Sequence, residues 1–130
     1  MIIDTSALVA MVAREPGYER LTRAVVDQPV SMSAVSVLEA RVVLAARRFD
    51  VAPDLLDALF IKLRLTTLDF TNDHVDAAAA AYRRYGKGNH PARLNMGDCA
   101  AYATAKLAGE PLLYVGDDFT QTDVESAIPG

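Results

Sequence analysis

The chain has 130 residues, is 52% hydrophobic and 23% charged, and sets 13 Lys and Arg against 17 Asp and Glu, for a net charge of −4. That length and apolar content suit a single α/β domain over residues 1–130 and exclude a disordered tail. The negative balance excludes passive nucleic-acid binding through a broad basic surface, but not an enzyme that reaches phosphates through a bound cation and a few local Arg and Lys.

Residues 1–4 read as a short buried strand, Met1-Ile2-Ile3 closed by Asp4. Thr5 to Ala13 follow as a helix with Asp4 or Thr5 near its N-cap. Pro16 restarts a helix to about Asp27, Pro29 breaks it, and Val30 to Met32 form a second strand. Ser33 or Ser36 opens a helix through about Arg48, in which Val42, Val43 and Ala46 share one face at spacings of three and four. A turn over Asp50 to Pro53 leads into an amphipathic helix from Asp54 to Leu63, whose apolar residues are Leu55, Leu56, Leu59, Phe60 and Leu63. Leu65 to Leu68 is a third strand. Asn72 or Asp73 caps an Ala-rich helix that Gly86 stops after Tyr85. A polar loop from Gly86 to Arg93 precedes a helix that starts at Asn95, runs through Leu107 and ends at Gly109. Leu112 to Val115 is the fourth strand, and a short turn or helix falls near Thr122 to Ser126. Short apolar strands separated by helices predict a parallel sheet of four to five strands with helices on both faces, and ligands in such sheets bind beyond the carboxyl ends of the strands.

Cys99 is the only cysteine, so no intrachain disulfide forms; it reads as a small buried residue rather than a nucleophile. No basic segment precedes an apolar core at the start, and no apolar run approaches the roughly 18 residues that span a bilayer. The expected location is the cytoplasm, without membrane attachment.

Four acids stand where a strand or loop gives way to a helix: Asp4, Glu39, Asp98 and Asp117, the last paired with Asp118. Each has an ordinary explanation. Asp4 can cap the first helix. Ser36-Val-Leu-Glu39 and Asn95-Met-Gly-Asp98 both have the spacing of a capping box, and Gly116-Asp117-Asp118 can be a turn. Together they say more. A lone buried carboxylate is expensive, and several meeting at one edge raise one another's pKa unless a cation intervenes. Oxygen donors of this kind suit Mg²⁺ or Mn²⁺, ions that keep several waters and need few direct carboxylates. Some of the acids would hold the ion directly and the others would act through water. Ser6 and Asn95 would orient the acids, and Lys87 and Arg93 in the polar loop would meet substrate phosphates. His74 and His90 are isolated, which argues against zinc, and there is no glycine-rich nucleotide loop or Gly-x-Ser-x-Gly element.

These segments resemble the PIN-domain family, and within it the VapC-type ribonuclease toxins of bacterial toxin–antitoxin pairs. Met-Ile-Ile-Asp4-Thr-Ser6-Ala-Leu is similar to that family's opening strand and first acid, and Ser33 to Glu39 to its second acidic segment. Asn89-His-Pro-Ala-Arg-Leu-Asn-Met-Gly-Asp98-Cys-Ala-Ala-Tyr-Ala103 is the most specific match, with Asp98 as third acid. Tyr114-Val-Gly-Asp117-Asp118-Phe-Thr-Gln-Thr-Asp123 is similar to the segment carrying the fourth, which is either member of the pair. The resemblance implies a PIN-like three-layer α/β/α fold and a metal-dependent endoribonuclease. It also implies a homodimer, a VapB-like antitoxin that threads a C-terminal segment across the acidic cleft, and an RNA substrate such as tRNA or another structured RNA with single-stranded loops. Asp4, Asp98 and Asp117 would then position the cation, and Glu39 would complete the shell or deprotonate the attacking water. The rival readings are a metal-dependent phosphoesterase or DNase on the same scaffold, and a non-catalytic acidic binding module.

Overall fold

In the computed structural model, residues 1–47 and 52–128 are described. Strand β1 (Ile2–Ile3) leads into α1 (Thr5–Ala13) and α2 (Tyr18–Val25); β2 (Ser31–Ser33) leads into α3 (Ala34–Ala46) and α4 (Ala52–Leu63); β3 (Thr66–Leu68) leads into α5 (Asn72–Tyr85) and α6 (Met96–Ala108); β4 (Leu112–Leu113) follows. The strands pair in the order β3-β2-β1-β4, all parallel, with Ile2 opposite Ser31 on one side and Leu112 on the other.

The pleat sends neighbouring residues to opposite faces. Ile3, Met32 and Leu113 join a core with α1 to α4, including Leu8, Leu21, Leu44 and Leu56. Ile2 and Leu112 join a second core with α5, α6 and the tail, including Tyr85, Leu94, Tyr102 and Phe119. The result is the three-layer α/β/α arrangement around a four-stranded parallel sheet. The free edge of β4 is partly covered: the Leu112 N–H donates to the Glu125 carbonyl and the Ala127 N–H to the Leu112 carbonyl, at 2.8 and 2.9 Å.

Several boundaries differ from the sequence expectation for local reasons. Gly17 takes the left-handed conformation (φ 88°), so the helix expected from Pro16 begins at Tyr18 and ends at Val25. The second strand is shifted by one residue, although Val30 is buried. On α3 the buried stripe is Ser36, Ala40 and Leu44; Val42 and Ala46 are exposed and Val43 is half-buried. Small residues on that stripe let α3 come close to its neighbours, and the Thr5 hydroxyl donates to the Ser36 carbonyl across the gap at 3.0 Å. On α4, Leu56 is buried while Leu55 is 48% exposed. The expected end of α3 at Arg48 lies outside the described residues, as does the first half of the expected Asp50–Pro53 turn; Ala52 already belongs to α4.

Thr71, rather than Asn72 or Asp73, caps α5, with its N–H donating to His74 Nδ1 at 3.2 Å. Gly86 ends that helix in an extended conformation (φ −67°), not a left-handed one. Its glycine is needed for closeness: a Cβ there would lie 2.3 Å from the Tyr82 carbonyl oxygen. Pairing on β4 stops after Leu113, two residues short of the expected Val115, whose N–H instead donates to Ser6 Oγ.

Candidate active site

The strand order has a topological switch at its centre. From β1 the chain moves outward through β2 to β3, and later returns to the other side of β1 as β4. Connections on either side of that point diverge and leave a crevice beyond the carboxyl ends of β1 and β4. Asp4, the residue after β1, stands there and is 3% exposed. It is the N-cap of α1: its Oδ2 accepts from the Ser6 N–H at 3.0 Å and from Ser6 Oγ at 2.6 Å. Its Oδ1 is buried and has no hydrogen-bond partner. Burial raises the Asp4 pKa to about 6, against the lowering effect of the Ser6 bonds and with a further push from the Glu39 charge. Ser6 also accepts the Val115 N–H at 3.0 Å, which ties Asp4 to the chain leaving β4.

Asp98 lies in the first turn of α6, and the capping box expected there is present. The Asn95 N–H donates to Asp98 Oδ2 at 3.0 Å, and the Asp98 N–H to Asn95 Oδ1 at 2.9 Å. Burial raises the Asp98 pKa to about 7; the Asn95 backbone bond opposes this, while the charges of Asp4, Asp118 and Glu39 add to it. Capping and convergence are therefore compatible. Asp4 and Asp98 each hold a helix start with Oδ2, and the Asp4 charge still reaches Asp98.

Glu39 has no capping role. Ser33 is the N-cap of α3, with its Oγ accepting the Val35 N–H at 3.1 Å, so Glu39 falls in the second turn and its carboxylate is available to the crevice. It lies directly against the first turn of α6: a Cβ on Gly97 would be 2.2 Å from Glu39 Oε2. Gly97 thus makes room for the acid. We expect Gly97→Ala to push the Glu39 carboxylate out of place, lowering any activity of the site by roughly tenfold or more, since small misplacements near reacting groups are costly. Its melting temperature should stay within a few degrees of wild type, because Ala is the better helix former. Parallel activity and thermal-melting measurements would check this, and an unchanged rate would detach Glu39 from the site.

Asp4, Glu39 and Asp98 line one pocket of about 250 Å³ together with Ser6, Val9, Val43 and Val115. Two further lining residues had no signal in the sequence: Glu15, just past α1, and Arg47, at the end of α3. They meet only in three dimensions, at 2.6 Å between Arg47 Nη1 and Glu15 Oε1. Asp117 and Asp118 are both exposed and neither lines the pocket; the Asp117 carbonyl accepts from the Thr120 N–H and hydroxyl. Asp118 is the member of the pair whose charge reaches Asp98. Lys87 and Arg93 are exposed on their loop and do not line the pocket. Among the described residues, no three Asp, Glu, His or Cys side chains form a preassembled metal cage. Cys99 is buried and its thiol is pushed up to about 11, first by burial and then by Asp98, which suits packing rather than nucleophilic attack. A larger pocket of about 610 Å³, bordered by Val75, Tyr82 and Met96, is almost wholly apolar and offers no comparable chemistry.

The PIN domain family profile matches residues 1–125. A protein named Ribonuclease VapC from Mycolicibacterium smegmatis is 47% identical over 125 residues, covering 95% of this chain and 97% of the relative. Among solved structures, Mycobacterium tuberculosis VapC20, described as a sarcin-ricin loop cleaving toxin, superposes with a TM-score of 0.79 at 18% identity, covering 98% of both chains. VapBC2 from Rickettsia felis, bound to a promoter DNA fragment, gives 0.75 at 13% identity over 96% of this chain and 94% of that one. At those identities the structures speak for the fold alone, whereas the profile and the close relative speak for descent. No described helix is long and apolar enough to cross a membrane. With the acids gathered at the switch point and the match running almost end to end, the chain belongs to the PIN-domain family, in its VapC-type ribonuclease branch.

Proposed function

We propose that this protein is a divalent-metal-dependent endoribonuclease and the toxin of a VapBC-type pair. The observation that carries the reading is the meeting of Asp4, Glu39 and Asp98 in one pocket, in a chain 47% identical to a ribonuclease VapC. The pocket fits a hard cation. It offers carboxylate oxygens, one of them buried without a partner, and burial keeps two of the acids reluctant to ionise until positive charge arrives. Asp4 and Asp98 would hold Mg²⁺ or Mn²⁺, with water completing the shell. The fourth acid is kept to the Asp117–Asp118 pair, in which Asp118 is the member whose charge is felt at Asp98. When bound, the cation would lower the pKa of a coordinated water and offset charge on the phosphate.

The remaining work falls to the protein. Ser6 fixes the Asp4 carboxylate through two hydrogen bonds, and Asn95 fixes Asp98. Glu39, seated against Gly97, would take the proton of the attacking water. A VapB-like antitoxin partner and a homodimeric state are proposed on the relationship to the VapC branch.

The test is cleavage of a mixed single-stranded and structured RNA pool, then of total cellular RNA, by folded antitoxin-free protein in Mg²⁺, Mn²⁺ or EDTA. Cutting that needs the metal supports the reading. Equal cutting in EDTA would overturn the metal requirement, and preference for DNA or small phosphoesters would move the assignment to another phosphoesterase.

A further inference from the structure

The acidic pocket is a groove between α1 and α3. Glu39, Val43 and Arg47 line it at spacings of four along α3, while Thr5, Ser6 and Val9 line it from α1, and Glu15 follows that helix. Val9 and Val43 are its apolar walls. Arg47 is the one cation among the described lining residues, in company with Asp4, Glu15, Glu39 and Asp98. Eight residues along a helix is about 12 Å, so Arg47 stands some two turns away from Glu39. Its partner is Glu15, at 2.6 Å, held in place where the Glu15 N–H donates to the Ala10 carbonyl at 3.0 Å.

We infer that Arg47 binds an RNA phosphate flanking the scissile one, and that Glu15 competes for the guanidinium until the RNA arrives. The inference rests on the ribonuclease reading and adds the residue that receives the neighbouring backbone. A groove with four carboxylates repels a polyanion, and its one guanidinium offsets part of the charge that a cation at Asp4 and Asp98 leaves. Arg is suited to the task because its planar fork grips phosphate oxygens in pairs. Releasing it from Glu15 is cheap: both side chains are solvent-accessible, at 48% and 35%, and exposed ion pairs contribute little stability. Contact with a flanking phosphate is the same in ground and transition states, so it affects KM more than kcat.

The experiment measures binding of a fluorescein-labelled, mixed-sequence single-stranded RNA pool by anisotropy. The protein is full-length, cleavage-deficient Asp98→Asn in Mg²⁺, carrying Arg47 or Arg47→Ala, and Glu15 or Glu15→Gln. Arg47→Ala should weaken binding about tenfold and flatten the plot of log Kd against log salt by about 0.7, the value for one single-strand phosphate. Glu15→Gln should tighten binding two- to fivefold, because the guanidinium loses its competitor. A pair that merely ties α1 to α3 predicts the same sign for both substitutions. An Arg47→Ala protein that binds within twofold of its parent with the same salt slope, or a Glu15→Gln protein weakened alongside it, overturns the inference. Cleavage of total RNA by the otherwise wild-type protein separates the two levels. Metal-dependent cleavage with no effect of Arg47→Ala removes only the role of Arg47, whereas no binding by the parent and no cleavage removes the ribonuclease reading as well.

Discussion

Asp98→Asn should yield a folded protein that has lost RNA cleavage by at least ~10²–10³-fold, the scale on which a single charge-stabilising group acts in an active site. In EDTA at neutral pH it should melt above the wild type. The two effects have one cause. The Asp98 pKa is raised to about 7 by burial and by the charges of Asp4, Asp118 and Glu39, so at neutral pH a substantial fraction carries a charge that the fold disfavours. The amide removes that charge and keeps the shape. Its carbonyl can still accept the Asn95 N–H that now goes to Asp98 Oδ2, and its own backbone N–H still donates to Asn95 Oδ1, so the capping box survives. After discounting for solvent screening around a partly exposed group, the gain is about 1–2 kcal/mol, or roughly 3–8 °C in melting temperature for a chain of this size. An acid that only capped α6 would behave differently: replacement would leave cleavage intact. Paired thermal melts and cleavage assays decide, and full activity in a well-folded Asp98→Asn protein would remove Asp98 from the site.

What could be read in the sequence was what local chemistry dictates. The limits of α1 followed from Asp4 at its start. Those of α6 followed from the Asn95–Asp98 box and from Gly109, which takes the left-handed conformation at its end. The parallel sheet was legible because each short apolar run is followed by a helix long enough to cross over. Glu39 was noticed, but its capping box required Ser36 as the N-cap, whereas Ser33, the other start the sequence offered, holds that place. What was not legible depends on how elements meet. The inward face of α3 is set by how close its small residues allow it to approach, so counting aliphatic residues pointed to Val42, which faces solvent. Neither Glu15 nor Arg47 belongs to a motif; they become neighbours because the far ends of α1 and α3 lie side by side. Choosing between Asp117 and Asp118 needs the direction in which the turn after Gly116 (φ 96°) sends each side chain, and adjacent residues in a turn carry no periodicity to reveal it.

Stability in EDTA should fall as pH rises from about 5 to 7.5, and Mg²⁺ or Mn²⁺ should reduce or reverse that fall. The sign follows from proton uptake. Asp4 and Asp98 have folded-state pKa values of about 6 and about 7 against 3.8 for the free side chain. Across that interval the folded protein binds more protons than the unfolded chain, and stability declines with pH wherever this holds. Their contribution is fully present below about pH 4 and is lost as pH passes through 6 and 7. For Asp4, almost fully buried, the loss is on the order of 2–3 kcal/mol. Asp123 works in the opposite sense but in another window. Its pKa is lowered, chiefly by the Tyr102 hydroxyl, so its contribution disappears only as pH falls below the ordinary carboxylate range. A divalent cation needs the ionised carboxylates, so its affinity rises over the same interval in which they become costly. Its stabilisation then grows with the ratio of its concentration to Kd. Melting curves at pH 5, 6, 7 and 7.5, with EDTA and with each metal, would display the crossing. A wild-type protein whose melting temperature in EDTA climbs steadily from pH 5 to 7.5 would show that these acids are not the strained pair their burial implies. Curves that metal leaves untouched at every pH would separate the acids from cation binding. In Asp98→Asn the EDTA slope should flatten, because the group that titrates nearest neutrality is gone, and the part that remains should report Asp4.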